Sequence, residues 1–364
     1  MYLTPANLIP YLLDRDRIRA ESVVGGDVVV LEAARRNRNF KVICKKSPGI
    51  FVKQARARES QAAITLEREA DFYLHMQSGH GHAELACLLP RLLEFDRGNH
   101  VLMLELLSQA ENFREHHRRL GRFPEQIGAL LGKALAACHS GSGRLEIESR
   151  LSREVPWVLS AASAGPAMFE RPSPGDIRLL EILQKTDSFE QRMRELHDEW
   201  HQETLIHGDI RWENCLLLPG EEGDLELRMA DWELCDIGDP AWDIGSILQE
   251  CLRTWIFSMP MPAAFDPERS VEESGCQVEE MHPMISALWR SYIEARAVTA
   301  QDANALLMRS VRFSAARMVQ TAFEQLTGAQ KVSNHVVAMT QVSLNILKDP
   351  EQGARELFGL PVTA

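Results

Sequence analysis

Residues 205–218 read LIHGDIRWENCLLL, and residues 230–245 read ADWELCDIGDPAWDIG. Three polar side chains recur at set intervals here. Asp209 closes the turn His207-Gly208-Asp209, Asn214 follows five residues later, and Asp231 comes after a hairpin. The hairpin is legible in the aliphatic runs Asn214–Leu218 and Leu225–Met229, joined by Pro219–Gly220–Glu221–Glu222–Gly223–Asp224. In the second run Leu225, Leu227 and Met229 alternate with Glu226 and Arg228, so one face is buried. A tight loop entering a strand presents Asp209 and Asn214 toward one cleft, and the hairpin returns Asp231 beside Asn214, one strand over.

Transfer of a phosphoryl group from ATP asks few groups of a protein. One carboxylate orients the acceptor hydroxyl, hard oxygen ligands hold Mg²⁺, and a cation positions the α- and β-phosphates. The ordered set H-G-D-x-x-x-x-N, D-W-E and G-D-P-x-x-D falls at His207, Gly208, Asp209, Asn214, Asp231, Trp232, Glu233, Gly238, Asp239, Pro240 and Asp243. In that order it resembles the aminoglycoside phosphotransferase and choline kinase-like family, relatives of the protein kinases. The resemblance implies an α+β, protein-kinase-like two-lobe fold: a small N-terminal lobe with an antiparallel sheet plus a helix, and a larger, mostly helical C-terminal lobe. It implies ATP and Mg²⁺ as cofactors, Asp209 as the catalytic carboxylate, and Asn214 and Asp231 as the Mg²⁺ ligands. Asp243 resembles the buried aspartate that accepts backbone hydrogen bonds from the catalytic loop, and His207 is expected to brace that loop. Arg211 stands where many protein kinases carry a lysine that reaches the γ-phosphate, which gives it a catalytic role; a solvent-exposed arginine is the other reading. Glu233 faces metal or substrate, or braces the site.

The N-terminal region supplies the remaining expectations. Val23–Val24, Val28–Leu31, Lys41–Cys44 and Ile50–Lys53 are short β-branched or aliphatic runs, and Leu88–Phe95 and His100–Leu107 look like two more strands. Between them a helix is expected from about Glu59 to His75, with Ala63, Leu66, Ala70 and Tyr73 on one stripe. Lys53 ends the third strand, where a kinase places its phosphate-holding lysine. Its expected partner is Glu69, which matches the family's R-E-A pattern, with Glu67 as the alternative. Glu105-Leu106-Leu107 resembles the interlobe hinge that binds adenine, so Glu105 and Leu107 are expected at the nucleotide. The lobes then divide as 1–107 and 108–364, with the catalytic loop at 207–214 and the metal motif at 231–233. Gly25–Gly26 is the sole candidate for a phosphate-covering loop. Gly128-Ala129-Leu130-Leu131-Gly132-Lys133 imitates a P-loop but lies inside a helix opened by Pro124.

Composition narrows the partners. Net charge is −12 over 364 residues, with 15 Lys+Arg against 13 Asp+Glu in residues 1–110, and 25 against 39 beyond. So acidic a C-terminal part argues against nucleic acid as a partner. No apolar run approaches the roughly 20 residues of a membrane span, and the N-terminus lacks a secretory signal and reads as a short amphipathic helix. Seven scattered cysteines without a C-x-x-C pair fit a reduced, cytoplasmic protein. The expected partner is a small-molecule hydroxyl acceptor, bound by the helical stretch 145–203 and by 255–283, read as a loop or lid. Trp157, Trp200 and Trp212, with Glu213, Asp236 and the Glu272–Glu273 and Glu279–Glu280 pairs, are candidates to line a pocket for an amine-bearing alcohol. A kinase acting on a peptide or protein, and an inactive nucleotide-binding scaffold, are the rival readings. The oligomeric state is not legible.

Overall fold

A computed structural model describes residues 1–33, 37–56, 60–78, 83–140, 151–164, 172–220, 223–262 and 267–362. Several expectations fall outside the described residues: the helix start at Glu59, turn residues Glu221 and Glu222, and 145–150, 165–171 and 263–266 of the acceptor segments. The chain forms two compact units. The first takes in the described residues of Met1–Phe113, Gly143–Leu151 and Glu213–Cys235; the second, those of Arg114–Ser142, Ser152–Trp212 and Asp236–Ala364.

The first unit is built on a five-stranded antiparallel sheet: β1 (Val28–Glu32), β2 (Arg38–Cys44), β3 (Gly49–Gln54), β4 (Leu92–Asp96) and β5 (Val101–Leu106), in the order β1-β2-β3-β5-β4. Alternation sorts the faces. Phe40 and Val42, Ile50 and Val52, and Val101 and Met103 join Leu8, Tyr11 and Leu12 of the N-terminal helix Pro5–Leu13 in one core. That helix starts at a reciprocal capping box between Thr4 and Asn7, with Pro5 in its first turn. Lys53 follows Val52 and so leaves β3 on the opposite face. The helix Ser60–Gln77 carries Glu69.

Two strand readings need correction. Val23–Val24 lies in the short helix Ala20–Val24, which Gly25 and a left-handed Gly26 (φ +69°) terminate. Two β-branched residues had no strand partner to hold them extended, and the Gly-Gly pair serves as a helix stop. Gly25–Gly26 therefore precedes β1, whereas the β1–β2 connection lies at 33–37. The run Leu88–Phe95 yields a strand only from Leu92, because the backbone of Leu88 and Leu89 closes turns back onto Leu85 and Ala86. The hairpin Cys215–Pro219 and Leu225–Met229 pairs as expected, Cys215 opposite Met229.

The second unit is mainly helical, with Glu125–Ser140, Pro240–Ser258, His282–Arg296, Ala300–Gln325 and Asn334–Lys348 as its long helices. Segment 255–283, read as a loop, holds the end of Pro240–Ser258 and the short helices Pro267–Glu272 and Val278–Met281. No described helix is long and apolar enough to cross a membrane. The P-loop-like glycines have a packing role. A Cβ on Gly128 would stand 2.0 Å from the carbonyl oxygen of Met284, and one on Gly132 2.3 Å from that of Leu288. Both let the helix Glu125–Ser140 touch the backbone of His282–Arg296. Gly132→Ala is therefore expected to cost about 1–3 kcal/mol by overpacking, read as a lower denaturant midpoint; an unchanged midpoint contradicts this packing.

Candidate active site

In the first unit, Lys53 gathers three carboxylates. Its Nζ stands 2.7 Å from Glu69 Oε2, 2.5 Å from Asp231 Oδ1 and 2.9 Å from Glu233 Oε2. The lysine side chain is 5% exposed and that of Glu69 1%, whereas Asp231 is 41% exposed. Glu67, two residues earlier and so on the other side of the helix, faces His100 and Arg97 instead, so Glu69 is the partner. Glu233 also accepts from Asn37 Nδ2 at 2.9 Å, a contact no sequence motif announced.

The electrostatics follow from the imbalance. Burial works against the charge on Lys53, but Glu69, Asp231 and Glu233 outweigh it and hold the ammonium protonated far into alkali. Burial, reinforced by Asp231 and Glu233 and opposed by Lys53, pushes the Glu69 carboxyl up to about 7. Three carboxylates share one cation, and the most buried of them is the one that resists ionising.

Local structure places Asp231. Its backbone is left-handed (φ +68°) immediately after the hairpin, and Ala230 N–H donates to the Asn214 carbonyl at 2.9 Å. Trp232 then anchors the turn. It stacks on Phe72 at 4.6 Å, and its Nε1 donates to the Met229 carbonyl. Asn214 is buried on the short turn Trp212–Asn214. The oxygens of Glu69, Asp231 and Glu233 lie within 4.8 Å of one another. The carboxylate oxygens of Asp231, open to solvent, and Glu233 are hard anionic donors of the kind that fit a Mg²⁺ ion. Glu105 and Leu107 stand at the end of β5. The Glu105 carboxylate accepts from Arg91 N at 2.8 Å, and the Leu107 carbonyl from Ala110 N at 3.0 Å.

In the second unit, the loop holding Asp209 is clamped from below. Fully buried Asp243 accepts from His207 N at 2.7 Å and Gly208 N at 3.0 Å, and from His139 Nε2 at 3.2 Å. Trp242 Nε1 donates to the Gly208 carbonyl at 3.1 Å, and Gly208 itself takes φ +79°, a left-handed turn that glycine makes without strain. His207 is buried, with Nδ1 3.4 Å from Asp209 N, a bracing position. Two guanidinium groups then meet Asp209 Oδ1: Arg211 Nε at 2.9 Å and an Arg317 terminal nitrogen at 3.0 Å. Burial would raise the Asp209 carboxyl, but Arg317 and Arg211 prevail and hold it below its usual value. Arg211 also pairs with Glu324 at 2.9 Å, so it is neither solvent-exposed nor unengaged.

Sequence reading missed Arg317, Glu324, His139 and Asn37. The helix Ala300–Gln325 reads as an apolar stripe through Leu307, Val311, Ala315, Met318 and Ala322. The available signal was Arg317 and Glu324, seven residues and two turns apart on one face. Several residues named for an aromatic and acidic pocket have other contacts among the described residues. Trp212 is fully buried, and Trp200 packs edge-on to Trp242 and Phe313. Asp236 accepts from Ser152 Oγ and from the backbone of Arg153 and Glu154. Glu273 pairs with Arg269, and Glu280 caps Gln277. Of the three tryptophans, Trp157 alone is exposed.

Comparison with known proteins bears on the family and the fold. The sequence pattern of the phosphotransferase enzyme family matches residues 27–283. No curated protein matches in sequence. Among solved structures, choline kinase from Cryptosporidium parvum superposes with a TM-score of 0.58 at 13% identity, over 97% of this chain and 98% of that one. An aminoglycoside phosphotransferase, APH(2'')-Ib with ADP bound, gives 0.52 at 13% identity, over 94% and 99%. Choline kinase LicA from Streptococcus pneumoniae gives 0.50 at 14%, over 94% and 99%. The fold is the α+β, kinase-like two-lobe fold.

Asp243 supports a pH-dependent prediction. Burial would raise its carboxyl, but the His139 and loop hydrogen bonds hold it below its usual 3.8. A depressed folded pKa contributes stability that is present above 3.8 and lost as pH falls through the lower folded value. Asp243→Asn, which turns an amide N–H toward a backbone donor, is expected to cost about 1–3 kcal/mol. In denaturant titrations the gap between wild type and variant should hold constant near neutrality and shrink in acid below 3.8. A gap independent of pH contradicts the clamp.

Proposed function

We propose that this chain, which belongs to the phosphotransferase enzyme family, moves the γ-phosphate of ATP, with Mg²⁺, to a hydroxyl of a small molecule. The observation that carries the reading is Lys53 held among Glu69, Asp231 and Glu233. A buried ammonium surrounded by excess carboxylate suits a site completed by a phosphate and its cation: the lysine takes the α- and β-phosphates, and Asp231 and Asn214 take Mg²⁺. When bound, Mg²⁺ neutralises the charge that develops on the β- and γ-phosphate oxygens. Glu105 and Leu107 are assigned to adenine by resemblance.

Asp209 serves the acceptor. The hydroxyl oxygen forms a bond to Pγ, the bond from Pγ to the β-phosphate oxygen breaks, ADP leaves, and the hydroxyl proton passes toward Asp209 or water. With two arginines beside it Asp209 is a weak base, so its main work is to orient the hydroxyl, in keeping with a loose transition state. Arg211, next to Asp209, is positioned to assist the same step. The acceptor class rests on family membership and on the similar solved structures, which include choline kinases and aminoglycoside phosphotransferases. The presence of Lys53, Asp209, Asn214 and Asp231 together opposes the reading as an inactive scaffold. An amine-bearing acceptor remains part of the proposal; of the acidic groups named for it, Asp236, Glu273 and Glu280 have local partners.

Asp209→Asn is expected to lower kcat by about 10²–10⁴-fold and to leave Mg·ATP affinity unchanged. Asp231→Asn should weaken Mg²⁺-dependent nucleotide binding. A nucleotide-consumption screen over hydroxylated amines, sugars and peptides, with Asp209→Asn as the blank, identifies the acceptor. Normal turnover in either variant would falsify the assignment, and turnover confined to peptides would replace the small-molecule acceptor.

A further inference from the structure

We infer that Arg317, from the helix Ala300–Gln325, is a positioning residue that fixes the orientation and ionised state of Asp209. The inference rests on the role proposed above for Asp209. Arg317 is 1% exposed, and a buried guanidinium is costly unless an anion compensates it. Its one ion pair among the described residues is the bond to Asp209 Oδ1 at 3.0 Å. Its Cζ lies 5.5 Å from the centre of the Trp242 ring, and the same ring donates through Nε1 to the Gly208 carbonyl. The arginine is thereby seated on the residue that holds the catalytic loop. A helix core that needed only stability would be served by a leucine or methionine at this position.

Charged groups reach Asp209 from the helix Ala300–Gln325 and from its own loop. Arg317 approaches from the helix. Arg211 and His207 belong to the loop, and Glu324, two turns further along the same helix, pairs with Arg211. Arg211 is 32% exposed and divided between Asp209 and Glu324, whereas Arg317 is buried. Arg317 is therefore the constant partner. It keeps Asp209 an anion at any physiological pH, and by loading Oδ1 it sets the plane in which the carboxylate meets the acceptor.

The test is the pH dependence of Arg317→Gln and Arg317→Lys, measured twice: as the acid limb of kcat/KM, and as the titration of the ¹³C-labelled Asp209 carboxyl, assigned by its loss in Asp209→Asn. In Arg317→Gln the titration and the acid limb should both rise by about one unit or more, with kcat reduced about 100-fold. Arg317→Lys, which keeps the charge, should return both most of the way. A variant with kcat lowered equally at every pH and an unmoved Asp209 titration overturns the inference and leaves Arg317 a packing residue. If the glutamine variant fails to fold, the lysine variant decides. Its shorter side chain holds the charge farther from Oδ1, so a titration identical to wild type counts against the inference. Because the carboxyl titration needs no turnover, a wild type that transfers phosphate to nothing refutes the proposed function without touching the pairing.

Discussion

One ammonium shared by three carboxylates is the constraint on which the proposed nucleotide site depends. Lys53 is buried on the face of β3 opposite the apolar core, so it needs anions, and the fold brings three: one from the helix Ser60–Gln77 and two from the turn after the hairpin. Burial, with the neighbouring carboxylates adding to it, pushes the Glu69 carboxyl up to about 7. A site left with more anions than cations is a site built to receive cations. The strain is local and specific: Asp231 adopts a left-handed backbone that non-glycine residues avoid, and it is held there by the stacked Trp232.

The proposed acceptor site depends on a different balance. Asp243 ties down the loop backbone and two arginines load the Asp209 carboxylate, so Asp209 is fixed at its base and at its oxygen. Neither device supplies chemistry. Both remove freedom, and orientation is the greater part of what a loose phosphoryl transfer asks of a carboxylate.

Much of this was legible because it is written in contiguous residues. His207 through Asn214 and Asp231 through Asp243 carry their spacing in the chain itself, and the hairpin between them has strong turn chemistry. Glu69 and Glu67 are neighbours in sequence, and only the three-dimensional direction of the helix separates the one that meets Lys53 from the one that meets His100. Arg317 and Glu324 were invisible for a plainer reason. They come from a helix more than a hundred residues beyond Asp209, whose periodicity announces a core and nothing else. Trp200, Trp212 and Asp236 show the opposite error: residues with binding chemistry that the fold spends on packing and on tying backbone. Val23–Val24 shows that two β-branched residues without a partner follow their neighbours into a helix.

The central claim is that the carboxylates around Lys53 require a divalent cation before they accept a nucleotide. Isothermal titration of the protein with ATP, with and without Mg²⁺, tests it most directly. The account predicts that Mg²⁺ tightens ATP binding by at least about tenfold, equivalent to ~1.4 kcal/mol. Equal affinity in the presence of a chelator would contradict it.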